Sequence, residues 1–311
     1  MDSLNRMAIE LVDEALEFAE ELSVGAYELE NEATVLDFGV EFDGGIEAGL
    51  LLTEIQTAGL ATPGRGLAEI GGVPLPHVEL STDQPALSLL CSQKASWELT
   101  TADFEGLGSG PARALVAEEE EFRRVGYTDA FDLTALAVES DELPTAAAAE
   151  QVADLAEVEP SGVFMLAFST ASLVGSVTNA ARAAELATFR LAELGYDPLD
   201  IVSATGRAPV APVAPDEGEA IGRTNDAVAY GGTAHLVVRE AFDRFDEVAS
   251  TAGEEYGRPF VEVFDDLEWS FEDVPAELFA PAKVTVDVLG GGTYVYGETD
   301  EDLLVESFDL R

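Results

Sequence analysis

The fold is decided by one stretch, Ser161–Glu185, with the sequence SGVFMLAFSTASLVGSVTNAARAAE. It opens with the apolar run Val163–Phe168, which has the length and composition of a buried strand. Thr170 and Ser172 follow at the end of that strand, the edge where ligands bind in α/β proteins because its loops are free of packing constraints. A bend at Gly175 leads into a helix. The stretch therefore predicts a strand, a loop with two candidate binding hydroxyls, and a helix.

The predicted helix carries a cation and a carboxylate on one face. Arg182 and Glu185 are three residues apart, so their side chains are neighbours on the helix surface. A permanent cation beside a carboxylate at such an edge is suited to acid–base chemistry. Surface ion pairs use the same spacing, so spacing alone favours a solvent-exposed pair. Both interpretations are open at this point.

Strands and helices alternate around this stretch. A strand at Leu133–Val138, a helix at Thr145–Ala156, a helix at Thr178–Leu194 and a strand at Ile201–Thr205 predict, with Val163–Phe168, a mainly parallel βαβαβ layer with right-handed crossovers. The other predicted elements are an amphipathic helix Ser3–Leu22, strand Ala33–Val40, returning hairpin strand Ile46–Thr53, irregular segment Ala58–Gly72, strand His77–Leu80, helix Pro85–Lys94, strand Trp97–Phe104 and a hairpin around Gly290–Gly292.

The length of 311 residues favours two domains. We place the boundary at Tyr127–Asp132, so that residues 1–127 form an α/β domain with hairpins and residues 128–311 form a second α/β domain. The C-terminal strands are free to return to the first domain. The expected fold class is mixed α+β and α/β, with two domains of mixed β-sheets flanked by helices.

The charge balance is extreme. Sixty-two acidic residues against fifteen basic ones give a formal net charge of −47, which would strain a folded chain through self-repulsion in dilute buffer. In about molar salt the Debye length falls to about 3 Å and this repulsion is screened. We interpret the charge as adaptation to a salt-accumulating cytoplasm. Because phosphate backbones would be repelled, nucleic-acid binding is not expected.

The remaining composition predicts a soluble, cytoplasmic protein. Cys91 is the single cysteine, so no intrachain disulfide can form, and the N-terminal segment has no signal-peptide pattern. No apolar run approaches the length of a membrane span. Lys94 and Lys283 are the two lysines in a sequence that has nearly eliminated lysine, which makes each a candidate for a specific role.

Two further segments are candidate binding sites. The loop Gly106–Pro111 precedes a helix predicted from Ala112, and its Ser109 and Gly110 would lie where free backbone N–H groups attract an anion. A tight structural turn explains the same glycines equally well. In Gly222–Gly232, the polar residues Asn225 and Asp226 are flanked by glycines, which indicates a binding loop.

The sequence contains few residues in patterns suited to metal binding or to catalysis by histidine. His77 and His235 are isolated, no calcium-loop spacing occurs, and no nucleophile elbow is present. We therefore expect no bound metal ion and no catalytic histidine. A carboxylate tuned by arginine or lysine is the leading catalytic candidate.

Several long motifs resemble archaeal methenyltetrahydromethanopterin cyclohydrolases. In chain order they are Leu107–Leu115 (LGSGPARAL), Ser172–Ser176 (SLVGS), Ala208–Pro212 (APVAP), Gly222–Val228 (GRTNDAV), Tyr256–Phe260 (YGRPF) and Phe279–Ala282 (FAPA). The resemblance runs from the first helix to the last strand. Relatives often carry lysine where Arg258 stands and glycine where Ala181 stands, and Thr178-Asn179-Ala180 also departs from their usual sequence.

The resemblance implies a hydrolase of one-carbon metabolism without cofactor or metal, a homotrimer whose subunits enclose a pterin pocket in the cleft between two domains. The family's catalytic arginine and glutamate fall on Arg182 and Glu185, and Lys94, which matches a lysine near the pocket, is a third catalytic candidate. Glu185 would act as general base and acid on water, with Arg182 keeping it ionised. The anionic tail of the carrier would use Ser109, Gly110, Arg113 or Lys94.

The implied reaction is the reversible hydrolysis of the methenyl bridge of 5,10-methenyltetrahydromethanopterin to the 5-formyl form. Two alternatives stay open. One is the same chemistry on methenyltetrahydrofolate, and the other is a non-catalytic pterin-binding protein that kept the fold.

Overall fold

The structure, a computed structural model, describes residues 3–267, 269 and 274–311. The strands are β1 (Gly25–Glu28), β2 (Thr34–Gly39), β3 (Thr62–Ile70), β4 (Val73–Thr82), β5 (Ala95–Thr100), β6 (Glu105–Ser109), β7 (Thr134–Glu139), β8 (Val163–Phe168), β9 (Ile201–Pro209), β10 (Thr233–Val238), β11 (Lys283–Val288) and β12 (Thr293–Gly297).

The helices are α1 (Leu4–Glu17), α2 (Ala19–Leu22), α3 (Ile46–Gln56), α4 (Arg113–Val116), α5 (Glu120–Val125), α6 (Ala146–Ala156), α7 (Leu173–Ala180), α8 (Ala183–Glu193), α9 (Glu217–Gly231), α10 (Phe260–Asp266) and α11 (Glu301–Ser307). A π-helical segment spans Ala86–Gln93, and short 3₁₀ turns occupy Pro160–Gly162, Pro198–Asp200, Phe245–Glu247, Ser250–Ala252 and Ala276–Leu278.

The chain divides into two units, each assembled from two separate segments. The first unit comprises the described residues up to Ala61 together with Leu87–Thr178, and the second comprises Thr62–Ala86 with Asn179–Arg311. The sequence alone predicts a single division, between residues 127 and 128. The physical reason for the difference is strand pairing, because β7 and β8 join β2 and β6 in one sheet while β4 joins β9 in the other.

The first unit contains a mixed six-stranded sheet in the order β1-β2-β8-β7-β6-β5. The central pairs β2–β8 and β8–β7 are parallel, and the outer pairs are antiparallel. The central strands are apolar along both faces, as expected for strands covered on each side. Leu166 and Phe168 of β8 pack into a core with α1 and α3, whereas Met165 and Ala167 pack into a second core with α6.

The second unit contains a second mixed six-stranded sheet in the order β12-β11-β10-β9-β4-β3. Only β10–β11 is a parallel pair in this sheet. Helix α8 packs on β9, β10 and β4, and helices α10 and α11 each pack on α9 around buried Tyr230, Phe260 and Leu304. The predicted fold class, two mixed sheets flanked by helices, is confirmed.

Several segment predictions are confirmed. The amphipathic helix Ser3–Leu22 is present as α1 and α2 with a break at Phe18, and the strand–helix–strand series β7, α6, β8 is present in the predicted order. The hairpin around Gly290–Gly292 joins β11 to β12.

The predicted parallel βαβαβ layer is wrong beyond β8. Strand β9 lies in the second sheet, antiparallel to both β10 and β4. Strand β11 pairs with β10 and β12 pairs with β11, so these C-terminal strands belong to the second unit. The sequence of a strand indicates how buried the strand is, but it does not indicate which sheet the strand joins.

Three local predictions are also wrong. Ile46–Thr53 lies in helix α3 and not in a hairpin strand, because its residues are buried on most sides and show no clear period. Most of the segment Ala58–Gly72 forms β3, an edge strand that tolerates Pro63. The predicted binding loop Gly222–Gly232 forms the body and end of helix α9.

Within residues 3–267, 269 and 274–311, no helix combines the length and apolar character that crossing a membrane requires.

Candidate active site

Arg182 and Glu185 form a buried ion pair at the start of α8. The predicted helix Thr178–Leu194 is divided into α7 and α8, and Arg182 lies at the junction as the residue that caps α8. The Arg182 Nε donates to Glu185 Oε2 at 3.1 Å. The Glu185 side chain is 1% exposed and that of Arg182 is 13% exposed. The solvent-exposed pair that spacing alone favours is therefore not what the structure contains.

The burial of Glu185 follows from the composition of its helix. Ala183, Ala184, Ala187 and Leu191 are fully buried, so α8 lies close against its sheet. Glu185 is carried into this buried setting in the first helical turn, where the helix dipole favours a negative charge. A buried carboxylate held by a permanently charged guanidinium can accept a proton from a bound water and return it.

Lys94 and Arg113 belong to a different cluster, in the first unit. Arg113 is fully buried and binds Glu119 through two hydrogen bonds, Nε to Oε1 at 2.9 Å and Nη2 to Oε2 at 2.6 Å. Its Nη1 donates to the carbonyls of Leu90 and Ser92 at 3.3 and 3.2 Å, and its Nη2 also donates to Leu90. All five guanidinium donors are thus used by protein groups.

The acids of this cluster also hold the lysine. Lys94 Nζ donates to Glu121 Oε1 at 2.7 Å and lies 3.4 Å from Glu119 Oε2, which also accepts from the Ser96 hydroxyl. Burial acts to raise the pKa of Glu119, but the hydrogen bonds and charge of Arg113, aided by Lys94 and Ser96, lower it below its usual value. Glu119 and Glu121 were missed at the sequence level because they lie in an acidic run that resembles the solvated surface elsewhere.

Ser109 and Gly110 lie at the end of β6, not in a free loop. The Gln56 side chain donates to the Ser109 hydroxyl at 2.9 Å, and the Gly110 N–H donates to the Ser92 carbonyl at 2.8 Å. The following helix, α4, has four residues and begins at Arg113 rather than Ala112. The predicted anion contact at this point stays a prediction.

Thr170 and Ser172 lie in the loop between β8 and α7. The Thr170 hydroxyl donates to Glu139 Oε1 at 2.5 Å. The Ser172 hydroxyl donates to the Ser169 carbonyl at 2.7 Å and accepts from the Gly175 N–H at 2.9 Å, as a helix cap does. Both hydroxyls shape the loop, and their predicted contact with a ligand stays a prediction.

Asn225 and Asp226 lie inside α9. Asn225 Nδ2 donates to the Ile221 carbonyl, one turn earlier, at 2.8 Å. Asp226 is buried and accepts from the Phe260 N–H at 2.9 Å and from the Ser307 hydroxyl at 2.6 Å, which joins α9 to α10 and α11. Burial raises the pKa of Asp226 to about 7, although both hydrogen bonds act to lower it.

The predicted site residues thus fall into separate groups. Arg182 pairs with Glu185, Lys94 and Arg113 share Glu119, and Asp226 links three helices. In the described part of the chain no group of three or more histidine, cysteine, aspartate or glutamate side chains is arranged to hold a metal ion. The expectation of no metal remains a prediction.

Two mixed sheets flanked by helices, with a buried glutamate bonded to an arginine at the start of one helix, define a two-unit α+β protein with a candidate acid–base site. Residues 3–308 match the family described as Cyclohydrolase (MCH). The chain belongs to this family, and the resemblance seen in the sequence motifs is confirmed.

Curated relatives match the whole length of the chain. One from Halobacterium salinarum, named methenyltetrahydromethanopterin cyclohydrolase, is 57% identical over 310 residues, covering 100% of both chains. Proteins with the same name from Methanothermobacter marburgensis and Methanosphaerula palustris are 39% and 38% identical over 322 and 314 residues, again covering 100% of both chains.

Proposed function

We propose that this protein is a methenyltetrahydromethanopterin cyclohydrolase, which reversibly hydrolyses the methenyl bridge of 5,10-methenyltetrahydromethanopterin to 5-formyltetrahydromethanopterin. One observation carries the proposal: in a chain that belongs to the cyclohydrolase family over nearly its full length, Glu185 is buried and bonded to Arg182. A solvated pair would offer no environment different from water for a proton transfer.

The substrate needs little activation, because its amidinium carbon is already electrophilic. Water forms a bond to this carbon while Glu185 accepts one of the water's protons. The bond from carbon to N10 then breaks, and protonated Glu185 donates the proton to N10. The second proton of the water leaves to solvent as the formyl C=O forms, so that cation and water give the formyl product and one proton.

Arg182 positions the base. Its permanent charge stabilises the carboxylate form of Glu185 against the desolvation that burial imposes. The bond from Nε to Oε2 also fixes the orientation of the carboxylate. General acid–base assistance of this kind contributes about 10²- to 10⁴-fold to the rate.

Lys94 and Arg113 are both candidates for binding the anionic tail of the carrier, and their contacts distinguish them. Arg113 is fully buried and its donors are used by protein groups, whereas the Lys94 side chain is 17% exposed. Lys94 is therefore the stronger candidate of the two. Binding roles for Ser109, Gly110, Thr170, Ser172, Asn225 and Asp226, a cytoplasmic location, a homotrimeric state, and catalysis without a cofactor are parts of the same proposal.

The test is an absorbance assay of the methenyl chromophore in about molar KCl, which screens the net charge. The purified chain is given the methenyl forms of tetrahydromethanopterin and tetrahydrofolate. We expect turnover of the first, and a loss of about 10²- to 10⁴-fold in kcat for Glu185→Gln. Glu193→Gln removes a carboxylate from the other end of α8 and should leave kcat unchanged.

Other outcomes would change the proposal. Parent-like turnover by Glu185→Gln would remove Glu185 from the mechanism. Turnover of the folate carrier alone would favour the alternative substrate, and tight binding without hydrolysis would favour a non-catalytic pterin-binding protein.

A further inference from the structure

A glycine in the sheet beneath α8 lies unusually close to the first turn of that helix. A Cβ added to Gly206 of β9 would lie 2.1 Å from the Ala184 backbone nitrogen, 2.7 Å from the Ala184 Cα and 2.8 Å from the Ala183 carbonyl carbon. All three atoms belong to the main chain, so no side-chain rotation could relieve the overlap. Ala183 and Ala184 directly follow Arg182 and directly precede Glu185.

The strand is the less movable partner in this contact. Gly206 is opposite Ala234 of β10 and Leu80 of β4, so β9 is hydrogen-bonded on both sides. Along β9, alternate residues share a face, and Ala204 and Ala208 on either side of Gly206 are also small and fully buried. Extra volume at Gly206 would therefore move the helix and not the strand.

We propose that Gly206 is a positioning residue: its missing side chain sets how closely the first turn of α8 approaches the sheet, and thereby places the Arg182–Glu185 pair. This inference rests on the proposed function for its effect on rate. Its structural content, the position of the helical turn, is independent of any activity.

The variant Gly206→Ala tests the proposal. The overlap at 2.1 Å requires the helical turn to move by more than about 1 Å to reach an ordinary contact distance of 3.4 Å. A misplacement of about 1 Å can cost about 10²-fold in rate. We therefore expect kcat to fall by about 10²-fold with a much smaller change in KM, since the step lost is proton transfer and not binding. A crystal structure of the variant should show the first turn of α8 displaced.

The matched control is Gly66→Ala. Gly66 lies on β3 of the same sheet, and a Cβ there would have no heavy atom within 4 Å. This variant should keep the parent's kcat, KM and unfolding midpoint. If Gly206→Ala does not fold, Ala184→Val enlarges the same helical turn and should show the same loss in kcat with a smaller change in KM.

A parent-like kcat in folded Gly206→Ala, or in Ala184→Val where the first does not fold, would overturn the proposal. A rate loss that only follows the fraction of folded protein would overturn it as well. If the parent chain hydrolyses neither carrier, the proposed function fails but the inference is still decided by structure: a displaced first turn supports it, and an unmoved turn overturns it.

Discussion

Helix α8 carries an arginine–glutamate pair near each of its ends, and both pairs have the same sequence spacing. Arg182 and Glu185 lie at the start and Arg190 and Glu193 at the end, with N–O distances of 3.1 and 3.4 Å. The Glu185 side chain is 1% exposed, whereas that of Glu193 is 35% exposed. Identical spacing on one helix therefore produces one buried and one partly exposed carboxylate, while the two arginine side chains are similarly buried, at 13% and 14% exposed.

The helix itself adds to the difference. Glu185 lies in the first turn of α8, where the dipole favours a carboxylate, and Glu193 lies in the last turn, where the dipole disfavours it. Glu193 is stabilised by water instead. Water can do this for Glu193 but not for Glu185, so the buried acid depends on its arginine. This dependence is the property that suits Glu185 to proton transfer.

The largest effect is expected when the buried pair loses its cation. Arg182→Gln leaves Glu185 buried without a compensating charge, which should lower the free energy of unfolding by about 3 to 5 kcal/mol. Urea unfolding in molar KCl measures this change. Arg6→Gln is the control, because it removes the cation of an exposed ion pair with Glu10 on α1, and its expected loss is below about 1 kcal/mol. Equal losses from the two variants would show that burial does not distinguish the pairs.

The pairing of Arg182 with Glu185 was predictable from spacing, but its burial was not. Burial depends on the sheet that α8 covers, and on the close approach that Gly206 allows. Both features come from β9, which the sequence analysis assigned to the wrong sheet. The motifs of the family resemblance identified the two residues of the pair, but they did not indicate where in the fold the pair lies.

The glycines of α9 show a second limit of predicting structure from this sequence. Glycines such as Gly222 and Gly231 predict a loop, whereas both lie within the helix. A Cβ at Gly222 would lie 3.1 Å from the Val261 Cβ of α10, and one at Gly231 would lie 2.8 Å from the Leu304 side chain of α11. Glycine here allows helices to pack closely, a role that depends on distant residues and leaves no local signal.

Strands β7 and β8 were predictable because continuous apolar runs of that length fit few other structures. Helix α3 was not, since an element buried on most sides loses the periodicity that separates helix from strand. The cluster of Lys94, Arg113 and Glu119 was equally unpredictable, because nothing in the sequence indicates which of sixty-two acidic residues pairs with a given cation.

Asp226 sharpens the comparison, because its side chain accepts hydrogen bonds from Phe260 and Ser307 and forms no ion pair among the described residues. Its pKa is raised to about 7 chiefly by burial, with a further increase from the nearby charge of Glu262. In the folded chain Asp226 therefore keeps a proton that the unfolded chain releases above about pH 4. Its stabilising contribution is complete below about pH 4 and is lost as the pH rises through about 7.

We expect Asp226→Asn to remove this loss, since asparagine can accept from the Phe260 N–H and cannot ionise. Between pH 4 and 8 the stability of the parent should fall relative to the variant by an amount on the order of 3 kcal/mol. Urea unfolding across this range, as the difference between the two proteins, cancels the other carboxylates. The exposed Glu254→Gln should run parallel to the parent. A parallel course for Asp226→Asn would show that Asp226 is ionised in the fold at low pH.

The smallest effect is expected at the Arg190–Glu193 pair, whose carboxylate is 35% exposed. Glu193→Gln should change the free energy of unfolding in molar KCl by less than about 0.5 kcal/mol, because water and salt already compensate the charge. A double-mutant cycle with Arg190→Gln, followed by urea unfolding, isolates the coupling of the two side chains. At low salt the loss of one acid from a chain of net charge −47 also relieves repulsion, so the variant should need no more KCl to fold than its parent. A coupling above about 1 kcal/mol in molar KCl would mean that this pair behaves as a desolvated one. The distinction between the two ends of α8 would then rest on geometry other than burial.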